Sequence, residues 1–272
     1  LKNDHKIVGF GRDLVDFTKP ETALRILKKF QPKYIINASA YTDVDRAELE
    51  TEQNWMVNTT TVKELANYSQ KNHALIIHFS TDYVFDGMNN IPYLESDAPN
   101  PINIYGQSKL AAEYEIQNSG CRHLIIRLSW VVSSTHNCFL KTIFQYSLSK
   151  KTVSVVNDQV GAPTSNNFIA SVIRCIMEHP EFLESGIYHL SCDGQTSWFD
   201  YANFIIDTIS ENRGHKVPTE IIPISSSEYG AVATRPKNSL LNCRKLFNLI
   251  RYKQRKWKAD STEVVKRMLN SG

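Results

Sequence analysis

Ala74-Leu-Ile-Ile-His-Phe-Ser80, running straight into Thr81-Asp-Tyr-Val-Phe85, decides the fold. An Ile-rich run of this length that ends in small polar residues reads as a strand buried on both faces, the habit of parallel sheets. Two more runs share the pattern: Tyr34-Ile-Ile-Asn-Ala-Ser39 before it and His123-Leu-Ile-Ile-Arg-Leu-Ser129 after it. Between them, Thr22 to Phe30, Glu52 to Asn72 and Tyr105 to Asn118 space their apolar residues at the helical period. Strand and helix alternate, so the expected fold class is α/β with a doubly wound parallel sheet.

Thr18-Lys-Pro-Glu21 reads as the start of the first helix, with Thr18 as the capping hydroxyl and Pro20 in the first turn. Beyond residue 150 the pattern changes. Thr152 to Asn157 and Gly186 to Ser191 are candidate strands, 166–178 and 198–211 candidate helices, and Pro218 to Ser227 a turn-rich stretch. The expected organisation is a dinucleotide-binding region over 1–150 and a smaller substrate-binding region over 151–272, some of whose strands can return to the sheet.

The 272 residues are 42% hydrophobic and 22% charged, enough to bury a full core. A net charge of +3 is too mild to demand a nucleic-acid or membrane partner, which leaves acidic small molecules. Arg251 to Lys258 interleaves cations with aromatics, and a solvated face explains it better than a nucleic-acid contact. Five scattered cysteines, with no Cys-x-x-Cys pair, fit a reduced cytoplasm. No apolar run approaches the ~20 residues of a membrane span, and no set of metal ligands has a recognisable spacing.

Tyr105-Gly-Gln-Ser-Lys109 opens a helix, and a spacing of four puts phenol and amine on one face. A phenol, with an ordinary pKa of about 10, becomes a useful proton donor to a carbonyl when a nearby cation stabilises its phenolate. Spacing alone does not select it, because Tyr146 with Lys150 and Tyr252 with Lys256 match equally and a solvated surface pair has the same signature. Context does: only Tyr105 follows a strand ending in Ser80 and Thr81, and ligands of open α/β sheets gather at such strand ends. His78, inside that strand, reads as a satisfied core histidine.

Several segments resemble the dTDP-4-dehydrorhamnose reductase family of extended short-chain dehydrogenases. They are Asp16-Phe17-Thr18, Asn37 to Thr42 with Val44-Asp45-Ala47-Glu48, Ser80 to Phe85, Tyr105 to Lys109, Asn157-Asp-Gln-Val-Gly-Ala-Pro-Thr164, and Arg235-Pro-Lys-Asn-Ser239. The resemblance implies a Rossmann-like fold and reduction of the 4-keto group of dTDP-4-dehydro-L-rhamnose by NADPH. It implies that Thr81, Tyr105 and Lys109 are catalytic, with Thr81 bonding the reacting oxygen, Tyr105 protonating it, and Lys109 lowering the phenol's pKa and holding the nicotinamide ribose. By the same resemblance Asp16, Phe17, Ala40, Tyr41 and Thr42 lie along the cofactor together with Tyr105 and Lys109, while Thr81, Asp82 and Trp130 face the nucleotide sugar. No metal is implied, and a homodimer is left open.

Members of this family begin with a strand and a Gly-x-x-Gly-x-x-Gly loop for the cofactor pyrophosphate. Neither is in the sequence given, so the reading is of an N-terminally truncated chain. Lys6-Ile-Val-Gly-Phe-Gly11 does not supply the loop, because Leu14 stands where the third glycine belongs; it reads as the second strand of the sheet. Gly11 followed by Arg12, where a ribose-binding acid is expected, favours NADPH and leaves NADH open. The alternative is a catalytically silent sugar-nucleotide binder or regulatory protein of the same fold.

Overall fold

A computed structural model describes residues 6–179 and 184–270. Its elements run α1 (Pro20–Phe30), β1 (Tyr34–Asn37), α2 (Val44–Leu49), α3 (Thr51–Trp55), a π-helical turn (Met56–Thr60), α4 (Thr61–Lys71) and β2 (Leu75–Thr81). A 3-10 turn (Asp82–Val84), α5 (Ile104–Asn118), β3 (Arg122–Leu128), β4 (Val131–Val132), α6 (Phe139–Tyr146), β5 (Thr152–Val156), β6 (Val160–Gly161), β7 (Thr164–Ser165) and α7 (Asn166–Glu178) follow. The chain continues through β8 (Gly186–Leu190), β9 (Thr196–Ser197), α8 (Trp198–Arg213), β10 (Glu220–Ile224), α9 (Ser226–Tyr229), α10 (Arg244–Ile250) and α11 (Trp257–Asn270).

The main sheet has the order β1-β2-β3-β8, and every pair is parallel. Parallel neighbours need crossovers, which the helices α2 to α4 and α5 provide. Successive residues of β2 and β3 serve opposite faces. Leu75, Ile77, Leu124 and Ile126 enter a core with α7 and α8, while Ile76 and Ile125 enter a second core with α1, α4 and the far half of α5. That two-sided burial is why these strands read as unbroken apolar runs.

Residues 6–11 correct the sequence reading. They form no strand, and Ile7, Val8 and Phe10 are exposed. A strand exists only through a ladder, and among the described residues β1 pairs with β2 alone, so nothing bridges residues 6–11 to the sheet. The Thr18 cap is also corrected: Lys19 is the N-cap without a side-chain bond, Pro20 takes the first helical position, and the Thr18 hydroxyl donates to Asp16 instead. Pro218 to Ser227 is more regular than expected, because β10 pairs in parallel with β5 over five residues. β8 returns from the C-terminal half to extend the main sheet.

Two local features aim the residues at the sheet's carboxyl edge. Asn103 caps α5, accepting the Gly106 N–H at 2.7 Å, and its own amide donates to the Thr234 carbonyl at 2.8 Å. Gly106 is required there because a Cβ would overlap the Tyr83 carbonyl, so the first turn of α5 rests directly on the 82–84 turn. Among the described residues no helix is long and apolar enough to cross a membrane.

Candidate active site

Thr81 ends β2 and caps the turn after it. Its hydroxyl accepts the Tyr83 N–H at 3.2 Å and donates to the Asp82 carboxylate at 3.1 Å. Tyr105 arrives from the first turn of α5, half-buried, with its ring edge-on to Tyr83 at 5.9 Å. Burial pushes the Tyr105 phenol up to about 12; a hydrogen bond with Thr81 pulls it down and the Asp82 charge pushes it further up. Thr81, Asp82 and Tyr105 are therefore brought together as the sequence anticipates.

Lys109 is on the same helix, and its amine is engaged by β2. Nζ donates to the Phe79 carbonyl at 2.7 Å and lies 3.2 Å from His78 Nε2, with the residue 1% exposed. Burial lowers its pKa to about 8, against the pull of Glu113 one turn along, and Lys109 is not among the groups that act on the Tyr105 phenol. The amine's partners are thus tertiary ones, a backbone carbonyl and an imidazole of β2.

Asp82 is 4% exposed, and burial raises its carboxyl to about 6 despite bonds from Ser239, Thr81 and Ser129. Its Oδ2 is buried and has no hydrogen-bond partner among the described residues. Beneath these groups Glu113 receives Arg127 Nε and Nη2 at 3.0 and 2.7 Å and also accepts the Ser80 hydroxyl, fastening α5 to β2 and β3.

Trp130, expected to face the nucleotide sugar, is packed against a second tryptophan. It is 8% exposed, in the left-handed region at φ 46°, and its ring is stacked on Trp198 with centroids 3.3 Å apart. Gly161 lies against it so closely that a Cβ would overlap the indole. Trp198 was not anticipated, because 68 residues separate it from Trp130; its indole N–H donates to Gln159 at 3.2 Å.

The residues expected beside the cofactor lie in the segments before α1 and after β1. Asp16 is exposed, and its carboxyl is held below the usual range chiefly by the Thr18 hydroxyl. Phe17 is half-buried, and its carbonyl accepts the Thr61 hydroxyl at 2.7 Å. Ala40 and Tyr41 are half-buried and Thr42 exposed, and the Tyr41 phenol donates to Glu50 at 2.6 Å. Burial, followed by Glu50, raises the Tyr41 phenol above its ordinary value.

Asn58, which sequence reasoning missed, joins the segment after β1 to α5 from inside the π turn. Its amide accepts the Tyr41 N–H at 2.8 Å and donates to the Tyr41 carbonyl at 3.2 Å and to Ser108 at 3.1 Å. The polar run Asn58-Thr-Thr-Thr61 inside an otherwise amphipathic helix is the signal that marks it. Asp45 and Arg235, both in segments that carry the resemblance, pair at 2.6 Å and so hold the 233–239 segment against α2.

Two of the five cations in the run from Arg251 to Lys258 are committed to ion pairs. Arg255 pairs with Asp260 and Glu263, and Lys256 with Asp193. Among the described residues no group of three or more His, Cys, Asp or Glu is arranged to hold a metal.

Comparison with known proteins agrees with this geometry. The family described as RmlD substrate binding domain matches residues 1–270. The dTDP-4-dehydrorhamnose reductase of Salmonella typhimurium is 39% identical over 242 residues, covering 86% of this chain and 80% of that protein. The Escherichia coli enzyme of the same name is 37% identical over 262 residues, covering 94% and 85%. The Bacillus anthracis dTDP-4-dehydrorhamnose reductase, solved in complex with NADP, superposes with a TM-score of 0.88 at 31% identity over 100% of this chain and 92% of that one. The fold is shared over the length of this chain. The chain belongs to the dTDP-4-dehydrorhamnose reductase family.

Proposed function

We propose that the protein reduces the 4-keto group of dTDP-4-dehydro-L-rhamnose, giving dTDP-L-rhamnose, with NADPH as the hydride source. The observation that carries this reading is the meeting of Tyr105 with Thr81 at the carboxyl end of β2, beside a buried carboxylate, Asp82, with an acceptor to spare. The names of its relatives, and the NADP bound to one of them, supply the substrate and the cofactor.

The donor set fits the nicotinamide end of such a cofactor. Lys109, one turn along α5 from Tyr105 and held by Phe79 and His78, has an N–H to offer the nicotinamide ribose, and Asp16, Phe17, Ala40, Tyr41 and Thr42 would lie along the rest of the cofactor. The glycine loop that the family uses for the pyrophosphate is not among the described residues. When bound, NADPH supplies hydride to the keto carbon. The protein's part is to orient and to move a proton: Thr81 donates to the keto oxygen, and Tyr105 gives it the phenolic proton as charge develops there. Asp82 accepts a sugar hydroxyl through Oδ2. Residues 151–272 cover the sugar nucleotide, and the Asp45–Arg235 pair holds that region against α2.

The test follows NADPH oxidation with dTDP-4-dehydro-L-rhamnose for the wild-type chain and Tyr105→Phe. The variant is expected to lose about 10²- to 10⁴-fold in turnover. Near wild-type turnover in Tyr105→Phe overturns the assignment. A second reading, a sugar-nucleotide binder without turnover, is favoured by the engagement of the Lys109 amine by His78. Sugar-nucleotide binding without NADPH binding would select it.

A further inference from the structure

His78 is fully buried in the middle of β2, and the reaction proposed above makes no use of it. Its two ring nitrogens are both engaged, Nδ1 by the Asn37 amide at 3.0 Å and Nε2 by Lys109 Nζ at 3.2 Å. The roles in this chain of bonds can be worked out from its far end. The Ser39 backbone N–H can only donate, and it points at Asn37 Oδ1 at 3.1 Å, as does the Ser39 hydroxyl. Asn37 therefore turns its NH₂ toward His78, and His78 Nδ1 must accept. Burial holds His78 well below the usual histidine range, so the ring is neutral and carries one proton. That proton is on Nε2, facing Lys109.

An ammonium opposite an N–H would place two donors head to head. A neutral amine has a lone pair for Nε2–H and still has a hydrogen for the Phe79 carbonyl. We infer that His78 is a positioning residue that docks Lys109 as the neutral amine, and that protonation releases the lysine as an ammonium toward the Tyr105 side of α5. The docked lysine has no charge to offer the phenol. The released one does, so this pair governs when Lys109 can serve.

The charged and titratable groups around the amine are few. His78 reaches it from β2, and Glu113 from its own helix. Glu113 is already committed to Arg127 of β3 and to Ser80. From β1 the neighbour of His78 is the neutral Asn37, and from the π turn Asn58 and Thr59 bond Ser108 rather than the amine. Burial and His78 favour the neutral form, Glu113 the charged one, and the lysine's fall to about 8 agrees with docking.

The inference rests on the proposed function only for what Lys109 then does. Both measurements are made without cofactor or sugar, so failure here leaves that reading standing, and absence of turnover leaves this one standing. Long-range proton–nitrogen spectra of histidine-labelled protein are expected to show His78 as the Nε2–H tautomer; an Nδ1–H tautomer overturns the inference. Lysines labelled at Cε, with Lys109 assigned by Lys109→Met, are then titrated. The Lys109 midpoint is expected near 8, and an ordinary midpoint near 10.5 overturns docking. In His78→Leu it should rise by about half a pH unit or more, because the donor that favours the neutral amine is gone while burial remains. An unchanged midpoint in a cooperatively folded His78→Leu chain reduces His78 to packing. If that variant does not fold, His78→Gln retains a donor of similar reach, and its Lys109 midpoint should stay within a few tenths of wild type; a shift to the ordinary lysine range overturns the inference.

Discussion

The Glu113 carboxylate is clamped from one side by Arg127, whose Nε and Nη2 donate at 3.0 and 2.7 Å, in a pair that is almost wholly buried. It joins the helix that carries Tyr105 to the strand beside Thr81. Removing one member of such a pair strands a charge in the core, at a cost of about 3–5 kcal/mol, whereas replacing both with apolar residues of similar volume is far milder. Arg127→Met is expected to lose about that much stability in urea unfolding, and Arg127→Met with Glu113→Leu much less. If the double replacement costs as much as the sum of the singles, the pair is not coupled.

Asp82 makes stability depend on pH in an unusual direction. Its folded pKa of about 6 lies above the ordinary 3.8, so between those values the folded chain keeps a proton that the unfolded chain releases. Stability contributed by this group is therefore lost as pH rises through that window, by on the order of 3 kcal/mol, and levels off above it. Asp82→Asn should be more stable than wild type at pH 7, with no such advantage at pH 4. Equal differences at both pH values would show that burial of the charge is not the cause.

Burial of Tyr105 predicts a phenol that keeps its proton. With its pKa pushed up to about 12 by burial, phenolate should be absent through neutral pH. Ultraviolet difference titration of wild type against Tyr105→Phe should show no Tyr105 phenolate below about pH 10. A Tyr105 signal rising near pH 7 to 8 would show that burial does not hold the phenol protonated.

The stack of Trp130 on Trp198 leaves Gly161 no room for a side chain. A Cβ would overlap the indole, which is already held in its stack on Trp198. Gly161→Ala should cost about 1–3 kcal/mol, read as a lower thermal midpoint together with a change in tryptophan fluorescence. An unaltered midpoint would show that the stack loosens freely.

Periodicity revealed elements that are stabilised by their own neighbours. The three Ile-rich runs became β1, β2 and β3 within a residue or two, and 166–178 is helical as expected. Periodicity misled at residues 6–11, which have a strand's composition but no neighbouring strand among the described residues, and at Thr18, whose hydroxyl found Asp16 before the helix. β10 was obscured by its proline and flanking serines, and is formed by its register with β5.

The sequence alone determined the parallel sheet and the presence of Thr81 and Tyr105 at its carboxyl edge. Hydrophobic period and strand-end chemistry are properties of neighbours in the chain, and the Thr81-to-Tyr105 connection is local enough to carry them. Tertiary structure alone decided where the Lys109 amine points, what covers Trp130 and what Asn58 joins. Each of those depends on partners brought close only by folding: His78 31 residues before Lys109, Trp198 68 after Trp130, Ser108 50 after Asn58. A side chain's direction and charge are set by whichever donor, acceptor or ring reaches it first in space, and no spacing along the chain encodes that order.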